Sequence, residues 1–202
     1  MQVGILGAGN IGGNLAKKLR AAGHQIMVGV RDPHSLKAQA AQASGDVTGT
    51  FAEAAQFGDV VVVALPLHAA RELLPTLNLT STIVLDTTNA FGDLPDGFAS
   101  ASAAIQAWSG SSRVAKVFNA TPWEALADPI YQGKRVETFI CGDDAEAKAL
   151  AMQFARDVGF TPIDLGGLAN APLSENFARL WGTLAMQRGY GRDFAFTIVE
   201  RK

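Results

Sequence analysis

Short runs of β-branched and aliphatic residues alternate along this chain with longer segments in which apolar residues recur every three or four positions. Val3–Leu6, Gln25–Val30, Asp59–Leu65, Ile83–Asp86 and Arg113–Phe118 read as strands, and Val60-Val61-Val62-Val63 reads as one buried on both faces. Between the first two, Ile11, Leu15 and Leu19 stand four apart and predict a helix over Asn10–Ala22, closed by Gly23 in the C′ position that glycine favours. His34–Ala43, Ala69–Leu77 and Ser102–Trp108 predict further helices, and Thr50 with Glu53 forms a capping box that opens a short one. Thr87–Ala101 reads as a long functional loop. Strand and helix taking turns in this way predict an α/β fold: a doubly wound, mainly parallel sheet with helices on both faces.

The last third departs from a plain repetition of that unit. Glu137–Cys141 predicts a strand, Asp143 with Glu146 a second capping box, and the helix it opens runs to about Val158. Phe160–Leu165 predicts another strand. Phe177, Leu180, Trp181 and Leu184 fall on one helical face, and Phe194–Val199 reads as a final apolar strand. With no linker, repeat or second large core, one domain over 1–202 is expected, with a core at 1–120 and a small C-terminal α/β extension at 121–202.

Composition narrows the function classes. A net charge of -2 gives no general attraction to nucleic acid or to an anionic membrane surface. The longest apolar run, Val60–Leu67, is broken by Pro66 and is too short to span a bilayer, and no basic or long apolar stretch precedes the first glycines. A cytoplasmic protein without membrane insertion is expected. Cys141 is the single cysteine, so an internal disulfide and a CxxC metal site are both excluded, no metal is expected, and its strand-like setting predicts a small buried apolar residue.

The chemistry begins at Gly7-Ala8-Gly9-Asn10-Ile11-Gly12. A GxGxxG run alone is weak, but here it sits between a strand and an amphipathic helix, as a Rossmann-type dinucleotide site requires. Gly7 permits the turn, Gly9 lets a pyrophosphate approach the backbone, and Gly12 allows the helix to pack on the strand, whose neighbouring helix N-terminus offers free amides to the anion. The second strand ends Gly29-Val30-Arg31, where NAD-binding chains usually carry an acidic residue for the ribose. A guanidinium there suits a 2′-phosphate, with Ser35 and Lys37 able to assist, so NADP(H) is the expected dinucleotide; Asp32, one residue on, is the competing reading. The other strand ends complete the groove: Ala64, Leu65 and Pro66, with His68 just beyond; Thr88 and Asn89; and Asn119 and Ala120.

Taken with GILGAGNIGGNLAKKL, VGVRDP, VVVVALPLHAA and IVLDTTN, the stretches RVAKVFNATPWEAL, FICGDDAEAKA and GFTPIDLGGLANAPLSE give the chain a wider resemblance. It resembles the coenzyme F420-dependent NADP oxidoreductase family, and is similar to the oxidoreductase domain of six-transmembrane epithelial metalloreductases, over nearly its whole length. The resemblance implies hydride exchange between NADPH and a deazaflavin or a flavin such as FAD or FMN, and a homodimer. The family's Gly-Ser-Arg ending has Val30 in place of the serine here, which removes one hydrogen bond to the 2′-phosphate. The second ring is expected between the Asn119–Pro122 turn and the Leu165–Leu173 segment, with Trp123 and Trp181 as candidate walls or core packing.

Hydride transfer between stacked rings asks for alignment and a dry site rather than an acid or base, so no catalytic side chain is named. Two other readings use the same nucleotide site: an NADPH-dependent reductase of a small carbonyl or imine, marked by a Lys or Tyr proton donor beside the nicotinamide, and a non-catalytic NADP sensor with a redox-dependent partner.

Overall fold

The computed structural model describes residues 1–92, 94, 95 and 97–201, and the side chain of Lys37 lies outside what is described. Along the chain run β1 (Gln2–Leu6), α1 (Asn10–Ala21), β2 (Gln25–Val30), α2 (Leu36–Ala43), β3 (Val47–Thr50), α3 (Phe51–Phe57), β4 (Val60–Val63) and α4 (Leu67–Leu73). Then come β5 (Ile83–Asp86), α5 (Ala101–Ser109), β6 (Val114–Lys116), α6 (Trp123–Ala127) and the two-stranded hairpin β7 (Ile130–Tyr131) and β8 (Lys134–Arg135). The chain closes with β9 (Glu137–Gly142), α7 (Ala145–Val158), β10 (Thr161–Asp164) and α8 (Ala171–Gln187).

Eight strands form one sheet in the order β3-β2-β1-β4-β5-β6-β9-β10. The strands from β3 to β6 are mutually parallel, β9 runs antiparallel to β6, and β10 is parallel to β9. This is the Rossmann-type, mainly parallel α/β architecture expected from the alternation, with β9 and β10 prolonging the same sheet. The order reverses between β1 and β4, where the crossovers switch from one face of the sheet to the other and a crevice opens at the carboxyl ends.

Side chains of the central strands divide between the two faces with period two. Val60 and Val62 pack into one core with Leu15 and Leu19 of α1 and Phe154 of α7; Val61 and Val63 pack into the other with Ala54 of α3, Ala70 of α4 and Ile105 of α5. Register aligns Leu6 with Gly29 and Val63, Val63 with Asp86, and Asp86 with Lys116, so these residues share one edge of the sheet.

Several local expectations are corrected. Strand β3 was hidden because Val47-Thr48-Gly49-Thr50 carries one large apolar residue, and that one is exposed. The cap of α7 is Asp144, which accepts from Ala147 N at 2.7 Å, while Asp143 accepts from Leu168 N at 3.0 Å. Among the described residues the 194–199 segment pairs with no strand. Its aromatic alternation is satisfied against α8 instead: Phe194 stacks on Trp181, Phe196 meets Phe177 edge-on, and Ile198 and Val199 stay 53% and 75% exposed. The buried face of α8 is Ser174, Glu175, Ala178, Trp181 and Ala185, with Leu180 exposed, because a polar network rather than apolar periodicity decides which way this helix faces. Cys141 is buried as expected, and burial pushes its thiol up to about 11.

Candidate active site

The β1–α1 loop is built by three glycines under different constraints. Gly7 has φ 116, and a Cβ there would stand 2.4 Å from the carbonyl oxygen of Ala64. A Cβ on Gly12 would stand 1.9 Å from the oxygen of Gly7, so α1 can close on its own loop only without a side chain at that position. A Cβ on Gly9 would meet nothing within 4 Å. The protein's own packing therefore accounts for Gly7 and Gly12 but not for Gly9, which lines open space at the mouth of α1. Gly9 is also the N-cap of that helix and gives no side-chain hydrogen bond to the first-turn amides, so these donors remain for a ligand. An anion seated over Gly9 fits this cradle, as a dinucleotide pyrophosphate would.

From Gly9 a cleft of ≈ 840 Å³ runs along the carboxyl ends of the strands. Of the candidates named from sequence, Gly9, Asn10, Ile11, Ala64, Leu65, Pro66, His68, Thr88, Asn89, Asn119 and Ala120 line it together. Gly7 and Gly12 are buried beneath, with Ala8 half-buried. Arg31 and Ser35 stand outside the cleft lining at the end of β2 and the start of α2; Arg31 is exposed, and the Ser35 hydroxyl oxygen caps α2 by accepting from Ala38 N. Val30 packs its side chain in the core, so only its backbone faces a ligand. The competing carboxylate is engaged locally, since Asp32 accepts from His34 N at 2.8 Å.

At the far end, the wall differs from the one expected. The Asn119–Pro122 turn does line the cleft, but the Leu165–Leu173 segment does not; its opening turn is used internally, with the Gly166 carbonyl accepting from Gly142 N. The opposite wall comes from Ala178 and Trp181 of α8, together with Arg192. Trp181 donates through Nε1 to the Phe194 carbonyl at 3.0 Å and lies under the Arg192 guanidinium, 5.2 Å from the ring centroid. Trp123, 36% exposed, completes the rim. Phe118, at the end of β6, holds φ 62, a left-handed conformation costly for an aromatic residue, and this turn carries Asn119 into the cleft.

Under the floor lies a polar cluster that the sequence reading missed. Lys116 is 0% exposed and donates to Asp86 Oδ2 and the Thr88 carbonyl, both at 2.8 Å, with Glu175 Oε1 at 3.1 Å. Burial works to lower its pKa, but the two carboxylates outweigh it and hold the ammonium above its ordinary range. Asp86 also accepts from Thr88 N at 2.7 Å and from the Ser102 hydroxyl at 2.5 Å. Glu175 takes the N-terminus of α5, accepting from Ala101 N and Ser102 N at 3.1 and 3.4 Å. One charged knot thus joins β5, β6, α5 and α8 directly beneath Thr88, whose buried hydroxyl has no partner among the described residues. Among the described residues, no group of three or more His, Cys, Asp or Glu is placed to hold a metal, and no helix is long and apolar enough to cross a membrane.

Comparison with known proteins bears on this geometry. Residues 2–90 match the family described as NADP oxidoreductase, coenzyme F420-dependent. The F420-dependent NADP reductase of Methanothermobacter marburgensis is 30% identical over 204 residues, covering 89% of this chain and 90% of that protein. Metalloreductase STEAP3 of Rattus norvegicus is 32% identical over 174 residues, which are 84% of this chain, and the chain spans 35% of that protein's length. A solved structure from Arthrobacter sp. FB24, assigned as an F420-dependent NADP-reductase, superposes with a TM-score of 0.81 at 25% identity, covering 98% of this chain and 99% of that one.

Proposed function

Because this chain belongs to the F420-dependent NADP oxidoreductase family, and is therefore an NADP-dependent oxidoreductase, we propose that it passes hydride between NADPH and the ring of a deazaflavin of the coenzyme F420 type, with a flavin as the related acceptor. The observation that carries this reading is the far end of the cleft. There Pro122, Trp123 and Trp181 offer apolar and aromatic surface, and the described lining residues include no Lys, Tyr, Asp or Glu, with His68 the one lining side chain able to pass a proton. When bound, the dihydronicotinamide supplies a hydride, and ring reduction takes its proton from solvent. The protein's part is to hold the pyrophosphate over Gly9, to present the polar ends of β5 and β6, and to keep water from the two rings.

Reduction of a small carbonyl or imine calls for a proton donor at the acceptor atom. Lys116 does not serve, since it is wholly buried and all three of its N–H groups are engaged. In the proposed reading the small-molecule redox partner is the ring itself, and His68 is the cleft side chain on which the carbonyl or imine reading would rest. Purified protein mixed anaerobically with NADPH and, separately, F420, FMN, FAD or riboflavin checks this. NADPH oxidation coupled to loss of the deazaflavin's visible absorbance is expected. Bleaching of flavins alone would move the assignment to a flavin, and transfer to none of the four would overturn it.

A further inference from the structure

Two side-chain amides on the cleft floor, Asn89 and Asn119, are not free to choose their orientation. Asn89 Nδ2 donates to the backbone carbonyl of Asn119 at 2.7 Å, and a peptide carbonyl only accepts. With its nitrogen so committed, Asn89 turns Oδ1 toward the Asn119 side chain, 3.0 Å away. An oxygen there requires an N–H opposite it, so Asn119 presents Nδ2 to Asn89 and Oδ1 to its other side. On that side stands the Ser174 hydroxyl, 2.5 Å from Oδ1, which must therefore donate. The polarity of the relay follows from bonding logic and is anchored on a group that cannot flip.

Each amide nitrogen keeps one N–H without a partner among the described residues, and both side chains line the cleft. Ser174 is buried on α8 and is adjacent in sequence to Glu175, which is tied to Lys116 and to the start of α5. Its hydroxyl is thus held in place by the charged knot.

We propose that Ser174 is a positioning residue that tethers Asn119 through its Oδ1, so that the Asn119–Asn89 amide pair holds its spare N–H groups toward the cleft, where they donate to the carbonyl oxygen of a bound nicotinamide's carboxamide. Donors select the oxygen of that group rather than its NH₂, so an NADP analogue with an acetyl group in place of the carboxamide keeps the contact. The inference rests on NADP being the cofactor, and is independent of which ring accepts the hydride.

The test is equilibrium binding, followed by tryptophan fluorescence or calorimetry, with no acceptor present. The ligands are NADP⁺, its 3-acetylpyridine analogue and 2′-phospho-ADP-ribose, which lacks the ring. Ser174→Ala removes the hydroxyl that donates to Asn119 Oδ1, so the Asn119 side chain loses its second tether while Asn89 still sets which end is nitrogen. It should weaken NADP⁺ and the acetyl analogue by about five- to tenfold, the value of one hydrogen bond, and leave 2′-phospho-ADP-ribose within about twofold. Equal loss of all three ligands, or no loss, would overturn the role given to Ser174. Failure of the unmodified protein to bind NADP⁺ would instead overturn the cofactor assignment.

Discussion

A methyl group added at Gly12 would stand 1.9 Å from a carbonyl oxygen, while one added at Gly9 would meet nothing within 4 Å. Gly12→Ala should therefore cost about 1–3 kcal/mol of stability through overpacking, read as a lower melting temperature. Gly9→Ala should melt as the parent does yet lose NADP⁺ affinity, because its methyl occupies the place left for the pyrophosphate. Equal effects on melting at the two positions would mean that Gly9 too is a packing glycine. Lys116 sets a different demand. Replacing it with Met leaves Asp86 and Glu175 facing each other in a buried site, so a loss of about 3–5 kcal/mol is expected in chemical denaturation. Most of the glycine loop was legible because its spacing follows a rule of backbone geometry. Lys116 was not, since an apolar run read for its period absorbs a single lysine, and the two carboxylates that neutralise it lie on other elements, Asp86 in β5 and Glu175 far along the chain in α8. The one available signal was an ionisable residue on the inward face of a central strand.

At the scale of elements, the segment after α8 behaves as a strap over the cleft wall. Arg192 donates to both carboxylate oxygens of Glu124 in α6, at 2.5 and 3.1 Å, and Phe194 stacks on Trp181. Burial pushes the Glu124 carboxyl up, but the hydrogen bonds and charge of Arg192 outweigh it and leave the group below its ordinary 4.5. A depressed carboxylate stabilises the fold above its unfolded pKa, and that contribution disappears as the pH falls through the lower folded value. Amide exchange over residues 190–197 should thus be slow at neutral pH and speed up selectively once the pH falls below the ordinary carboxylate value, after correction for intrinsic rates. In Glu124→Gln it should be fast throughout, and an unchanged profile in that variant would remove the ion pair from the account. The parallel strands other than β3, and α1, α3 and α7, were legible because burial on both faces, a buried stripe or a cap leaves a local mark. The strap, α6 and β3 were not: each is short, and each is held by partners distant in sequence rather than by its own periodicity.

Across the whole molecule the two proposed recognition sites lie far apart along the carboxyl edge of the sheet. The Asn119–Asn89 floor lies at the ends of β5 and β6, and the exposed guanidinium of Arg31 lies beyond β2, with β1 and β4 between them. The chain carries a net charge of -2, so a dinucleotide with an extra phosphate is drawn by local cations and not by the protein's overall field. At the β2 end the usual sharing of that phosphate is reduced. Val30 is turned into the core, Asp32 is held by the His34 amide, and the Ser35 oxygen caps α2 while its proton remains to donate. Of the described candidates for the 2′-phosphate, Arg31 is then the one expected to carry discrimination between NADPH and NADH. Arg31→Ala should weaken NADPH by roughly 10- to 100-fold, the range of a charge-assisted hydrogen bond, and leave NADH within about twofold. Raising the salt concentration should narrow the gap between the two dinucleotides in the parent protein, because the pair is solvent-exposed, and should do so far less in the variant. Should both dinucleotides weaken alike, Arg31 would be acting through its stacking on adenine, and the preference would have to come from the α2 N-terminus and Ser35 instead.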